Sequence, residues 1–98
     1  MKISQDLRPE WEKARRHRAA RIRRKLLKRL VGEQNHRCAY CACRFGEEPH
    51  SAPTLDHLQP RTFGGTDTYL NCVAACEDCN NRRGTLPPMQ FARSMGAA

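Results

Sequence analysis

Two Cys-x-x-Cys pairs, Cys38-Ala39-Tyr40-Cys41 and Cys76-Glu77-Asp78-Cys79, constrain this chain more than any other feature. Two residues between ligands let both sulfurs of a pair turn toward one metal, and four thiolates satisfy a tetrahedral zinc ion. With 98 residues, 39% of them hydrophobic, the core must be thin. A domain of that size usually needs a disulfide, a metal or a partner chain to hold it. The start, Met1 to Asp6, has no apolar run resembling a signal peptide, and no stretch could span a membrane. The chain is therefore expected in the reducing cytoplasm, without a membrane partner, where cysteine pairs bind metal rather than each other. Cys38, Cys41, Cys76 and Cys79 are the expected ligands of a structural zinc ion, Zn2+, which four sulfurs leave with no open position for chemistry. Cys43 and Cys72 are left over and are expected to pack as small hydrophobes.

The charge is unevenly placed. The chain carries a net +8, and ten cations with no acid lie between Lys13 and Arg29. Residues 9–31 read as one helix: Pro9 suits its first turn, Glu10 and Glu12 sit at the positive end of the dipole, and Gly32 offers a stop. Trp11, Ala14, Ile22 and Leu26 fall on one face with Leu30 at its margin, a stripe expected to lie against the rest of the protein or a second copy. Arg15, Arg16, Arg18, Arg21, Arg23, Arg24, Lys25, Lys28 and Arg29 repel one another, and nucleic-acid phosphates are the expected neutralising partner. The bland alternative is a solvated, solubilising helix. The division expected is a basic helical arm over 1–32 and a zinc-stapled domain over 33–98.

Between the cysteine pairs lie 34 residues, long for a simple zinc ribbon and suggestive of a functional insertion. They carry Thr54-Leu55-Asp56-His57-Leu58-Gln59-Pro60-Arg61, then Gly64-Gly65-Thr66-Asp67, then Asn71, and Asn80-Asn81-Arg82-Arg83-Gly84 follows the last cysteine. This order closely resembles the HNH nuclease family over Cys38 to about Gly84, nearly half the chain. The resemblance implies an α+β chain with a small ββα-metal (His-Me finger) fold stapled by zinc, here preceded by the long basic α-helix. It implies a strand at about 54–58, a second at 72–75 and a short helix from Glu77 to Arg83. A last segment near Met89–Ser94 and a loose Gly96-Ala97-Ala98 tail follow Pro87-Pro88.

The resemblance also implies roles. His57 is the expected general base for water, and Asp56 and Asn80 the ligands of a catalytic divalent ion. Asn71 is the residue that holds the histidine segment by hydrogen bonds. Asn80 stands where the family name places a final histidine, and hard oxygen ligands favour Mg2+ or Mn2+. Arg83, one helical turn beyond Asn80, and Arg61 are candidate phosphate contacts. On a strand, neighbours point to opposite faces, so Asp56 and His57 need local help to reach one site. The expected activity is hydrolysis of DNA, most readily double-stranded DNA, in proteins of a kind found in phage and bacteria. The rival readings are a non-catalytic zinc module that binds nucleic acid and, on the basic helix alone, an RNA-binding accessory. His17, His36 and His50 are expected on the surface.

Overall fold

The long helix α1 covers Glu10–Glu33 in the computed structural model, which describes residues 5–96. The first four residues of the start and the last two of the expected tail lie outside the described residues. Pro9 caps α1 from outside, its carbonyl accepting the Glu12 and Lys13 N–H groups at 3.0 and 3.1 Å. The helix passes through Gly32 rather than stopping there, so the boundary expected at residue 32 falls inside α1. Its end is closed by Asn35 and His36, both at positive φ, with His36 N–H returning to Val31 O at 2.9 Å. Asparagine tolerates the left-handed conformation, so it supplies here what glycine was expected to supply.

The apolar stripe expected on α1 meets the domain only over its last turns. Trp11 and Ile22 are 67% and 56% exposed, and Ala14 is exposed as well. Only the last turns lie on the domain, where Leu30 is buried and Leu26, Leu27 and Val31 pack around it. At 24 residues the helix is a rod of about 36 Å. Its first half overhangs the buried turns, and most of its side chains are exposed.

Strand β1 (Pro53–His57) pairs antiparallel with β2 (Cys72–Cys76), with His57 opposite Cys72 and Pro53 opposite Cys76. Helix α2 (Glu77–Arg83) follows β2 without a loop, and α3 (Pro88–Ser94) begins at the second of two prolines. Consecutive residues of β2 serve opposite faces of the hairpin. Ala74 packs with Leu30 and Leu55 toward α1, while Ala75 packs with Cys38, Cys76, Cys79 and Phe91 on the sulfur side. Both alanines are fully buried. A core floored by alanine and cysteine brings little apolar area, so the fold depends on its staple. This is the ββα-metal arrangement.

One close approach fixes the connection between the strands. A Cβ on Gly65 would sit 1.7 Å from Gln59 O, and the Gly65 N–H donates to Pro60 O at 2.9 Å. Only glycine fits where the loop folds back on the chain leaving β1. Gly64, at φ +85°, makes the turn into it. Among the described residues, no helix is long and apolar enough to cross a membrane.

Candidate active site

The four paired cysteines converge. Their sulfurs lie within 4.8 Å of one another, with Cys41 Sγ 3.8 Å from Cys76 Sγ. Zinc–sulfur bonds of about 2.3 Å give a tetrahedron whose edges are about 3.8 Å, so the cluster fits the ion. Two knuckle N–H groups point at sulfur, Tyr40 N at Cys38 Sγ and Cys79 N at Cys76 Sγ, each at 3.4 Å. Despite burial, hydrogen bonds from Cys43, Cys38 and Cys79 hold the Cys41 thiol below its ordinary value, whereas burial pushes the Cys76 and Cys79 thiols up. No cysteine is in a disulfide. Of the two left over, Cys72 is buried as expected, whereas Cys43 is exposed and does not pack in the core. His17, His36 and His50 are exposed.

A cleft of about 280 Å³ opens between the end of β1 and the C-terminal half of α2, lined among others by Asp56, His57, Arg61, Phe63, Asn80 and Arg83. The strand stops at His57, so side chains from both its faces reach this one cavity. Asp56 is 2% exposed and gripped from two sides. Arg83 donates to its Oδ1 from Nε at 3.2 Å and from Nη2 at 2.7 Å, and the Tyr40 hydroxyl donates to Oδ2. Burial, then the hydrogen bond and charge of Asp56, push the Tyr40 phenol well up, so it remains a donor. Tyr40 lies between two zinc-type ligands, and its ring packs edge-on against Phe91 at 5.1 Å. The sulfur cluster and the carboxylate are therefore one rigid unit.

Arg83 was the expected phosphate clamp, and its contacts are those of a counter-ion instead. Besides Asp56 it donates to His57 O at 2.8 Å and to Leu86 O at 2.7 Å. The pair is buried on both sides, and removing either partner would strand a charge at a cost of about 3–5 kcal/mol. Arg61 is the exposed cation of the cleft.

Asn80 is oriented by a relay from the sheet. Thr54 Oγ1 donates to Ala75 O at 2.7 Å and accepts the Asn80 amide at 2.9 Å, so the side-chain oxygen of Asn80 is the end left for a ligand. Asp56 and the free amide oxygen of Asn80 border one cleft and are hard-oxygen groups of the kind magnesium or manganese takes, with both Asp56 oxygens already accepting hydrogen bonds from Arg83 and Tyr40. Asn71 binds backbone only. It accepts from Gln59 N at 2.9 Å and donates to Gln59 O and Thr66 O at 3.2 and 2.9 Å, tying the segment after His57 to the glycine loop.

Asp67 was missed as a functional residue. Its Oδ1 lies 2.7 Å from His57 Nε2. A carboxylate only accepts, so Nε2 is the donor, and Nδ1 is the acceptor whenever the imidazole is neutral. Partial burial pushes the Asp67 carboxyl up, but the hydrogen bond from His57 and the charges of Arg61, His57 and Arg23 outweigh it and hold the carboxyl below its ordinary value. Arg23, from α1, approaches the other oxygen at 3.6 Å. The signal in the sequence was an acid directly after Gly64-Gly65-Thr66, in a loop that must fold back toward the strand end.

Comparison with known proteins agrees with this geometry. Residues 38–86, half of the chain, match the family described as HNH endonuclease. Over 65 residues the chain is 40% identical to the CRISPR-associated endonuclease Cas9 of Corynebacterium diphtheriae, a match that takes in 65% of this chain and 6% of that protein. The cysteine tetrahedron, the hairpin ending in His57 and the family match over 38–86 coincide in one segment, and by them this chain belongs to the HNH endonuclease family.

Proposed function

We propose that the chain is a metal-dependent endonuclease that hydrolyses phosphodiester bonds of double-stranded DNA at the Asp56–His57–Asn80 cleft. The observation that carries this reading is the imidazole of His57, held through Nε2 by Asp67 with its other nitrogen left as an acceptor beside two oxygen donors. Asp56 and Asn80 would hold magnesium or manganese, whose charge stabilises a phosphate gaining a fifth oxygen and the oxygen that departs. His57 Nδ1 takes a proton from water as the water oxygen bonds to phosphorus. The bond from phosphorus to the 3′-oxygen breaks, giving a 5′-phosphate and, after protonation, a 3′-hydroxyl. Asp67 stabilises the imidazolium formed, and Asn71 keeps the chain after His57 from drifting. A module that only bound nucleic acid would have no use for an imidazole paired with a carboxylate at the mouth of a cleft.

Supercoiled plasmid tests this directly. Nicked and linear DNA should appear with added magnesium or manganese, and not without a divalent ion, and the ends should be ligatable. Intact plasmid under every ionic condition would overturn the proposal.

Asp67→Asn keeps the shape of the pair and removes its charge. The wild-type carboxyl is held below its ordinary value, so its contribution is complete above the unfolded value and is lost only as pH falls through the lower folded one, in acid. Across neutral pH the pair is intact. The variant is expected to lose about 10–100-fold in kcat with KM nearly unchanged. Unchanged kcat would leave Asp67 a loop residue only.

A further inference from the structure

The face of α1 that packs on the domain does not end where the packing ends. Arg15, Ala19, Arg23, Leu26 and Leu30 follow one another at steps of three and four, so they point the same way on a helix of 3.6 residues per turn. Over the last turns this face is apolar and buried. Toward the N-terminus, where α1 overhangs, it becomes arginine. Arg15, Arg16, Ala19 and Arg23 of this face and Arg61 of the domain line a cleft of about 380 Å³. The small Ala19 leaves the room that a longer side chain would fill.

Four guanidinium groups around one cavity are mutually repulsive, and the acids nearby do not balance them. Arg23 shares its charge with Asp67 at 3.6 Å, and Arg16 lies 4.0 Å from Glu12 on its own helix. Arg15 and Arg61 make no ion pair within 4.0 Å among the described residues. Arg61 also borders the cleft that holds Asp56, His57 and Asn80. One side chain is thus the wall between a cationic hollow and the catalytic one. A guanidinium presents forked donors that match phosphate oxygens.

We infer that the Arg15–Arg16–Arg23–Arg61 cleft binds a backbone phosphate of the substrate strand flanking the scissile one, so that the strand crosses Arg61 from arm to active site. The inference rests on the nuclease reading for its substrate class, and it divides the basic arm. Arg15, Arg16 and Arg23 face the strand, whereas Arg21 and Arg24 lie on the opposite side of the helix and contribute only general charge.

Two charge-matched double variants of the full chain test this, with glutamine keeping the helix. Binding to a mixed-sequence 20-base-pair duplex is measured over a salt series without an added divalent ion. Arg15→Gln/Arg16→Gln is expected to weaken binding about tenfold near 0.1 M salt and to flatten the salt slope by about 1 to 2 units. Arg21→Gln/Arg24→Gln is expected to lose about threefold or less, with little change in slope. Equal losses in the two variants, or no loss in the first, would overturn the phosphate site. The expected difference between the two variants, together with a wild-type chain that never cuts DNA with magnesium or manganese, would instead sink the nuclease reading and leave the site standing.

Discussion

Replacing Cys79 with serine, or stripping the sulfur cluster with a chelator, is expected to unfold the domain rather than merely weaken it. Cys79 is buried beside Cys38, Ala75, Cys76 and Phe91, and that cluster is half of a core with few large side chains. Structural zinc contributes about 10–16 kcal/mol in small metal domains, against a net stability of about 5–15 kcal/mol for whole proteins. No other interaction here can cover that loss. The thermal transition followed by circular dichroism should disappear on chelation and return with added zinc. Cys43→Ser, at an exposed thiol outside the quartet, should melt like the wild type. A chelated protein that melts cooperatively within a few degrees of the untreated one would show that the hairpin stands without its metal.

His57→Ala is expected to lower DNA cleavage by about a thousandfold, the scale of a general base removed from the transition state. It should leave zinc content, the melting transition and DNA affinity close to wild type. The side chain is half-buried and bonded through Asp67, but Asp67 keeps Arg23 and Arg61 as charged neighbours after the truncation. Cleavage within tenfold of wild type would remove His57 from the role of base and move attention to a water held by other groups.

The sulfur quartet was legible from local chemistry, and the hairpin and the short helix after Cys76 from the family resemblance. Ligand spacing dictated the knuckles, and the expected strands at 54–58 and 72–75 differ from β1 and β2 by one residue. What escaped was set by distant contacts. Nothing local to Arg83 told that it would turn inward to Asp56, 27 residues earlier in the chain, rather than out toward phosphate. Tyr40 looked like spacer between cysteines, and its hydroxyl instead reaches the Asp56 carboxylate. Asp67 looked like a turn residue until the glycine loop folded it against His57. The stripe on α1 meets the domain only at Leu26 and Leu30, since periodicity shows which residues share a face but not how far along the rod that face has a neighbour within the chain.

Asp56 is clasped by a tyrosine 16 residues before it and an arginine 27 residues after it. The clasp therefore closes only between points far apart along the polypeptide, the last of which is Arg83. During synthesis both halves of that clasp exist only once Arg83 has been added, so the buried carboxylate gains its counter-ion late. A chain interrupted before that arginine would leave Asp56 with the tyrosine alone.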